Sequence, residues 1–472
     1  MLDILLWAGG GNFLENSNIQ IIAASAVLIF SFLFGEISKK TNVPSVLMLI
    51  ILGIVMKIGL DIYFSSQGIE VDIKEALKPV LTVLGTVGLI MIVLEAALEL
   101  ELKREKVIPI AKAFTVALVG LLLSIWIAAI ILNKFIPGMD MTSAWIYATP
   151  LSILSSAIII PSVTGLSQVK KEFHIYESTF SDILGIMVFY FLLGQLDPSV
   201  TEGAIVDTAL ADVANEDGSH GGFLAFGWNV IFTVIVSLIA SYLIVLVFQN
   251  IKSHTKLFLL IAVLLLLYGV GKEQHLSALI IILIFGLLIA NKDLFFRGFL
   301  NKWLNRKEAE HMYEGLHVIT METAFVVRTF FFVIFGLTIV LADLANLNVA
   351  LISALILASI YVIRFILLRI FVGKDILPQL YIAPRGLITV LLFYAIPKKA
   401  EVAGFQPGIL LFIIIATSLI MTYGMIADKR RTGKAVRKAE SNPIGYEVWQ
   451  APTIDSVSNS SESKALDSGH HK

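Results

Sequence analysis

Residues 176–195 read YESTFSDILGIMVFYFLLGQ and combine a mostly apolar, membrane-spanning length with two acidic residues, Glu177 and Asp182. About 20 predominantly apolar residues cross the hydrocarbon core of a bilayer as a helix. A charged side chain at that depth costs about 2.5 to 3.5 kcal/mol on insertion scales, so it is retained where it pairs, titrates or contacts a permeating ion. The segment therefore predicts a membrane helix that contains a functional site.

The composition of the whole chain is that of a polytopic membrane protein. Of its 472 residues, 57% are hydrophobic and 15% are charged, whereas soluble domains are about 45–50% apolar and about 25% charged. The net charge of -1 gives no indication of a nucleic-acid partner. The sequence contains no cysteine, which excludes disulfides, thiol catalysis and cysteine-ligated zinc or iron–sulfur sites.

Apolar segments of spanning length recur along the chain and predict about thirteen transmembrane helices. Their approximate bounds are 19–36, 43–60, 79–99, 107–133, 143–165, 176–195, 225–249, 256–271, 277–291, 319–342, 349–371, 377–396 and 407–427. The polar residues 428–472 predict a short and largely disordered tail. The sequence therefore predicts an all-α polytopic membrane protein with its transmembrane domain in residues 1–427.

Lysine and arginine are distributed unevenly between the predicted loops. Most of them lie in the loops after odd-numbered spans and in the tail, whereas the long loop 196–224 has none. An excess of basic residues marks the cytoplasmic loops of a membrane protein. This asymmetry predicts a multi-pass protein of the cell membrane with its N-terminus outside and its C-terminus in the cytoplasm.

Spans five and twelve each contain a proline near mid-depth, Pro161 and Pro384. The two spans are seven apart in order, so they run in opposite directions through the membrane. Interrupted helices in corresponding halves of a chain indicate an inverted-repeat transporter with a site near the midplane. Proline kinks are also common in membrane helices without such a site.

The two acids of span six are expected to face different neighbours, because five residues correspond to about 140° around a helix. Arg364 in span eleven lies at a depth similar to that of Glu177, and a buried guanidinium requires a carboxylate. We therefore predict a Glu177–Arg364 ion pair; the alternative is that Arg364 extends to the lipid headgroups. Asp182 is left without a basic partner, so it can hold a proton or a dehydrated cation in competition, or bond a neighbouring helix.

Three serines and one arginine are further candidates for the site. The hydroxyls of Ser155, Ser156 and Ser181 could supply neutral oxygen ligands to a monovalent cation, although such hydroxyls usually bond the carbonyl one turn back. Arg385 follows Pro384 inside the predicted break of span twelve, where it could bind helix-end carbonyls or a carboxylate.

Other charged residues in or near the spans receive weaker assignments. Arg328 lies deep in span ten and has no partner that the sequence identifies. Glu95 and Glu99 fall near the inner end of span three, where solvation at the interface is expected. The eight histidines fall in predicted loops, interfaces or the tail, so neither haem ligation nor histidine–metal chemistry is expected inside the membrane.

At these residues the chain resembles the monovalent cation:proton antiporter superfamily, the sodium/proton exchangers. The signature of that family in span six is an acid, a serine, two further residues and then Asn-Asp or Asp-Asp, and residues 177–182 read ESTFSD. The arginine of span eleven recurs as Arg364, and a Gly-Leu-Arg-Gly-like break recurs as APRG at residues 383–386. The resemblance covers the thirteen predicted spans and excludes the tail.

The resemblance implies an inverted-repeat sodium/proton antiporter fold in which spans five and twelve are broken and cross. It also implies a homodimer that works by an elevator-like motion in the lipid bilayer. Residues 19–99 and 225–342 would form the dimerisation part, and residues 107–195 and 349–427 would form the core transport part.

The resemblance further implies a role for each candidate residue. Asp182 would bind Na⁺ and H⁺ in alternation, and Glu177 with Arg364 would form a structural ion pair. Two positions depart from the family pattern: residues 153–161 (ILSSAIIIP) lack the acid of a Thr-Asp-Pro motif, and Ser181 replaces the Asn or Asp before the key aspartate. Relatives with Asp-Asp tend to be electrogenic and those with a neutral residue immediately before the key aspartate tend to be electroneutral, so Ser181 favours one proton for one cation.

The function predicted on these grounds is secondary antiport of Na⁺, or another monovalent cation, against H⁺, with no cofactor. The alternatives are a K⁺/H⁺ antiporter or a K⁺ efflux channel-like system of the same architecture. No His-Glu-x-x-His or Gly-x-Ser-x-Gly motif and no paired membrane aspartates at catalytic spacing support an enzyme.

Overall fold

The computed structural model describes most of the chain between residues 17 and 441. The described residues are 17–41, 43–67, 84, 87–88, 90–100, 102, 104–196, 221–251, 256–273, 278–296, 305–338, 346–397 and 400–441. The predicted acidic loop after span six and the end of the tail lie largely outside them. Within these residues the regular elements are helices, and no strand is present.

The helices are numbered here in chain order. They are α1 (Ser17–Thr41), α2 (Ser45–Gln67), α3 (90–99), α4 (Val107–Phe135), α5 (Met141–Ser152), α6 (Ser156–Ser162), α7 (Gln168–Leu196), α8 (Gly221–Phe248), α9 (Lys256–Glu273), α10 (Ala278–Ala290), α11 (Lys292–Phe295), α12 (Arg306–Thr338), α13 (Leu347–Phe371), α14 (Leu387–Tyr394) and α15 (Gly408–Ser441). A 3₁₀ turn, Gln379–Tyr381, precedes α14.

Eight helical segments of the described residues are long and apolar enough to cross a membrane. Three shorter apolar segments, Val234–Phe248, Leu257–Gly271 and Ile280–Ala290, lie between them in sequence. The predicted all-helical polytopic class is therefore confirmed. The count of thirteen stays a prediction, because part of predicted span three lies outside the described residues and only 10–17 apolar residues are described in each of α8, α9 and α10.

Several helices extend beyond the bounds predicted from hydropathy. α7 begins at Gln168 instead of 176, α12 begins at Arg306 instead of 319, and α15 continues to Ser441, into the predicted tail. Hydropathy detects only the apolar part of a helix, whereas the intrahelical hydrogen bonds continue through polar residues that lie in water. The structure describes no residue of the tail beyond 441.

One group of helices packs around small residues. α2 contacts α12 closely at Gly53 and Gly336, where a Cβ added to either glycine would clash with the backbone of the other helix. Nearby, the hydroxyls of Ser31 and Thr329 are hydrogen bonded at 2.5 Å, which joins α1 to α12. Small residues and interhelical hydroxyl bonds are the usual means by which membrane helices associate.

A second group surrounds the candidate site. α4 contacts α5, α7 and α13, and α5 also contacts α7 and α14. These helices come from both halves of the sequence, so residues far apart in the chain meet at α7. The assignment of the two groups as a dimerisation part and a transport part stays a prediction.

Candidate ion-binding site

Predicted span five is interrupted in the middle. α5 ends at Ser152 and α6 begins at Ser156, and the backbone at Ile153 and Ser155 is extended. The interruption precedes Pro161, which lies inside α6. Proline crowds the carbonyl four residues back, which for Pro161 is that of Ala157 inside α6, so Pro161 alone does not set the position of the break.

Predicted span twelve is interrupted at residues 382–386, between the 3₁₀ turn and α14. The two interruptions contact each other, since the N–H of Ser155 donates to the carbonyl of Pro384 at 2.9 Å. Gly386 is the residue that permits this approach, because a Cβ there would lie 2.5 Å from the Ser155 hydroxyl oxygen. Arg385 lies inside the interruption, as predicted.

Hydroxyl groups satisfy the backbone N–H groups that the interruptions expose. Ser181 on α7 accepts a hydrogen bond from Leu154 N–H at 3.0 Å, and Thr417 accepts one from Arg385 N–H at 3.1 Å. Backbone groups at membrane depth require such partners because no bulk water is available. Ser181, predicted as an ion ligand, is therefore also the side chain that fixes the interruption of span five to α7.

Asp182 is buried beside this contact, with 3% of its surface exposed. The hydroxyl and N–H of Ser156 face its carboxylate, but neither carboxylate oxygen makes a hydrogen bond with any described residue. The hydroxyl of Ser155 is also buried without a hydrogen-bond partner in the described chain. The structure thus places Ser156 against Asp182, and Ser155 is the preceding residue of the chain.

Thr179 is a fourth candidate, which the sequence reasoning did not single out. It lies three residues before Asp182, and residues at that spacing share a face of a helix. Its hydroxyl is buried and has no partner among the described residues. By contrast, Ser152, Ser178 and Thr417 bond the carbonyl of the preceding turn at 2.8, 2.8 and 2.7 Å. The three-residue spacing to Asp182 could have identified Thr179 from the sequence. That its hydroxyl makes no hydrogen bond to a described residue is known only from the structure.

Glu177 and Arg364 form the predicted contact as a bidentate ion pair. Arg364 Nη1 and Nη2 donate to the two carboxylate oxygens at 2.7 and 3.0 Å, and Arg364 Nε donates to the carbonyl of Gln379 at 3.0 Å. Both side chains are buried. This arrangement joins α7 to α13 and to the turn that leads into the interruption of span twelve.

His174 corrects the prediction that the histidines lie in loops, interfaces or the tail. It is fully buried, and its Nδ1 lies 3.2 Å from Glu177 Oε2. The prediction was wrong because α7 begins at Gln168, which places His174 inside the helix and against its neighbours instead of at its end.

Glu95 corrects a second prediction. Arg328 Nη2 donates to Glu95 Oε1 at 3.2 Å, and both side chains are largely buried. Arg328, for which the sequence identified no partner, therefore forms an ion pair with Glu95, which was expected to be solvated. The pair joins α12 to α3. Hydropathy gives the depth of a residue but does not say which helices are neighbours.

The donor set at Asp182 consists of oxygen atoms, the ligands that hard cations prefer. The described residues contain no cluster of three or more His, Asp or Glu side chains that could hold a metal ion. A single carboxylate with neutral hydroxyls carries one negative charge, which matches one monovalent cation or one proton.

The sequence profile of a known family matches this chain over most of its length. The family is described as sodium/hydrogen exchanger, transmembrane, and the match covers residues 26–429. The chain belongs to this family. It is therefore a multi-pass membrane transporter of the cation/proton antiporter class and not an enzyme.

Solved structures of the sodium proton antiporter MjNhaP1 from Methanocaldococcus jannaschii are similar in fold. The structure at pH 8 has a TM-score of 0.61 and 17% identity, and the match covers 88% of this chain and 97% of that chain. The electron-microscopy map has a TM-score of 0.57 and 18% identity, with coverage of 93% and 100%. No curated protein matches the chain in sequence. The predicted antiporter-like fold is confirmed by these similarities.

Proposed function

We propose that the protein exchanges Na⁺, or another monovalent cation, for H⁺, and that Asp182 binds the cation and the proton in alternation. The observation that carries this proposal is the buried Asp182 carboxylate, neither of whose oxygens is hydrogen bonded to a described residue. Buried polar atoms in proteins are nearly always bonded, and the exceptions indicate a function or a missing ion or water. The MjNhaP1 protein, which shares the fold, is a sodium proton antiporter.

The proposed cation site uses Asp182 for charge and hydroxyl oxygens for the remaining ligands. Ser155 and Thr179 have free buried hydroxyls, and the Ser156 hydroxyl faces the carboxylate. Ser181 has one lone pair engaged by the Leu154 N–H, so its main role in this proposal is to hold the interruption in place. The hydrogen bond from Ser155 N–H to the Pro384 carbonyl supports a site at the contact between the two interrupted helices.

One carboxylate cannot hold a cation and a proton together, so each displaces the other. The loaded site is neutral in both forms, and moving a neutral site through the membrane avoids the cost of a buried charge. Residues 153–161 contribute no second acid. We therefore propose exchange of one cation for one proton, which is electroneutral.

The other untested expectations belong to the same proposal. The Glu177–Arg364 pair holds α7 and α13 together and does not carry the ion. The transport part moves against a dimerisation part in a homodimer, with the N-terminus outside and the C-terminus in the cytoplasm.

The test uses purified protein reconstituted into vesicles that contain a pH-sensitive dye. An imposed Na⁺ gradient is expected to change the internal pH, and Asp182→Asn is expected to abolish the change. The matched control is Asp140→Asn, because Asp140 lies at the start of α5, where an asparagine can still accept the bonds from Thr142 N and Ser143 N.

Parallel measurements with Na⁺, K⁺ and Li⁺ decide the substrate. A response to K⁺ alone would favour the K⁺/H⁺ alternative. Undiminished exchange by Asp182→Asn would contradict the role of Asp182 for every cation.

A further inference from the structure

Arg385 is a buried cation without a described partner for two of its nitrogens. Its side chain is 2% exposed, and Nε and Nη1 make no hydrogen bond within the described chain. A guanidinium is always charged in a protein, so it requires a negative group or water beside it. The other buried arginines differ, since Arg364 binds Glu177 and Arg328 binds Glu95.

Among the residues that the structure describes, no carboxylate near Arg385 is available to balance its charge. The ionisable groups that act on it are Tyr361, Arg364 and Glu177. Both oxygens of Glu177 are already engaged by Arg364, and one of them also contacts His174. The Glu177–Arg364 pair is neutral as a unit, so the charge of Arg385 is left uncompensated.

Arg385 lines a small cavity, partly open to its surroundings, between α4, α5, α7 and α13. The cavity has a volume of about 30 Å³. A water molecule needs about 10–15 Å³, so the cavity has room for a small ion. The residues that line it include Ser124, Ser181, Glu177, Arg364 and Arg385, whereas Asp182 is not among them.

The polar groups that line the cavity are mainly donors. Arg385 offers the N–H groups of Nε and Nη1, which have no acceptor among the described residues. The oxygen of Ser181 accepts the Leu154 N–H, and its proton has no acceptor within the described part of the chain. The carboxylate of Glu177, which would repel an anion, has both oxygens occupied by Arg364.

We propose that this cavity binds a small monovalent inorganic anion of the halide class, such as chloride, held by Arg385 with Ser181 and Ser124. The anion neutralises the one buried guanidinium of this cluster that no carboxylate pairs. Its site faces the Glu177–Arg364 side of α7, whereas the cation site lies at Asp182. The proposal goes beyond antiport and does not depend on it.

Chloride-dependent thermal unfolding of the full chain in detergent tests the proposal. Chloride is titrated against gluconate at constant Na⁺ and ionic strength. Because an anion that binds only the native state stabilises it, we expect Tm to rise with the logarithm of the chloride concentration above the dissociation constant, by about 2 to 5 °C in total. Arg385→Gln is expected to remove this rise. Arg369→Gln is the matched control and is expected to keep it, because Arg369 is exposed at the end of α13.

Two further measurements make the outcome decisive. Asp182→Asn is expected to keep the chloride-dependent rise although it loses exchange, which separates failure of this proposal from failure of the antiport proposal. If Arg385→Gln does not fold, crystals of the wild-type chain grown in bromide are expected to show an anomalous peak beside Arg385. No chloride-dependent rise in the wild type, a rise that is equal in Arg385→Gln, or no bromide peak beside Arg385 would contradict an anion site in this cavity.

Discussion

Glu177 and Asp182 lie five residues apart on the same helix, and their surroundings differ completely. The carboxylate of Glu177 is bound by both terminal nitrogens of Arg364 and contacts His174. The carboxylate of Asp182 is equally buried and has no hydrogen bond to the described residues. Because burying a charge is costly in both cases, the difference separates an acid that joins helices from an acid that is free for the proposed ion.

The largest effect on stability is expected at Glu177, the acid that is bound by Arg364. Glu177→Gln leaves the charge of Arg364 buried without a carboxylate, and breaking such a pair costs about 3–5 kcal/mol. Thermal unfolding in detergent measures this loss. The control is Glu172→Gln, which breaks the more exposed pair with Lys106 and should cost about 1 kcal/mol or less.

The pair can also be removed as a whole. The double variant Glu177→Gln with Arg364→Gln is expected to be more stable than Glu177→Gln alone, because no unpaired charge remains. Equal destabilisation in the single and double variants would contradict a structural ion pair.

Neutralising Asp182 is expected to leave stability intact, in contrast to neutralising Glu177. Asp182→Asn removes a buried ionisable group that makes no described hydrogen bond and replaces it with a neutral group of the same size. We expect a Tm equal to or above that of the wild type together with loss of exchange. A large fall in Tm, comparable with that of Glu177→Gln, would show that Asp182 has a structural role instead.

A smaller effect is expected from the free hydroxyl near Asp182. Thr179→Val removes one neutral ligand, worth about 1 kcal/mol or roughly a fivefold rise in the apparent KM for the cation. Initial rates of exchange at varied Na⁺ measure this change. Thr149→Val is the matched control, because the Thr149 hydroxyl already donates to Trp145 O and should leave KM unchanged.

An effect on stability alone is expected at Asp140, outside the membrane-spanning segments. Asp140 accepts bonds from Ser143 and Thr142 at the start of α5, and the hydrogen bond with the Ser143 side chain is the main cause that holds its pKa below the usual value. An aspartate whose pKa is lowered in the folded state stabilises the fold at pH values above its ordinary pKa. This contribution is lost as the pH falls through the lowered pKa. Asp140→Ala should therefore cost about 0.5–2 kcal/mol at neutral pH and less in acid, whereas Asp140→Asn costs little.

The sequence was sufficient for features that depend on depth and charge. The membrane class, the Glu177–Arg364 contact and the interruption at Arg385 all follow from apolar lengths, opposite charges at one depth and the chemistry of proline. Features that depend on which helices are neighbours needed the structure. The Glu95–Arg328 pair is an example, because nothing in either segment identifies the other.

Side-chain direction also needed the structure. Ser155, Ser156 and Ser181 are equivalent as sequence candidates, yet Ser181 bonds the interruption of span five while the Ser155 hydroxyl stays free of bonds to described residues. Burial of His174 depended on where α7 begins, and helix ends in polar sequence are poorly marked by hydropathy.

The most direct test of the account is proton release on cation binding. Purified wild-type protein in a weakly buffered solution is titrated with Na⁺ at a pH where the site is protonated. The account predicts the release of one proton per chain for each Na⁺ bound, and no release from Asp182→Asn. Proton release that persists in Asp182→Asn, or Na⁺ binding to the wild type without release at any pH, would contradict a single carboxylate that holds the two ions in alternation.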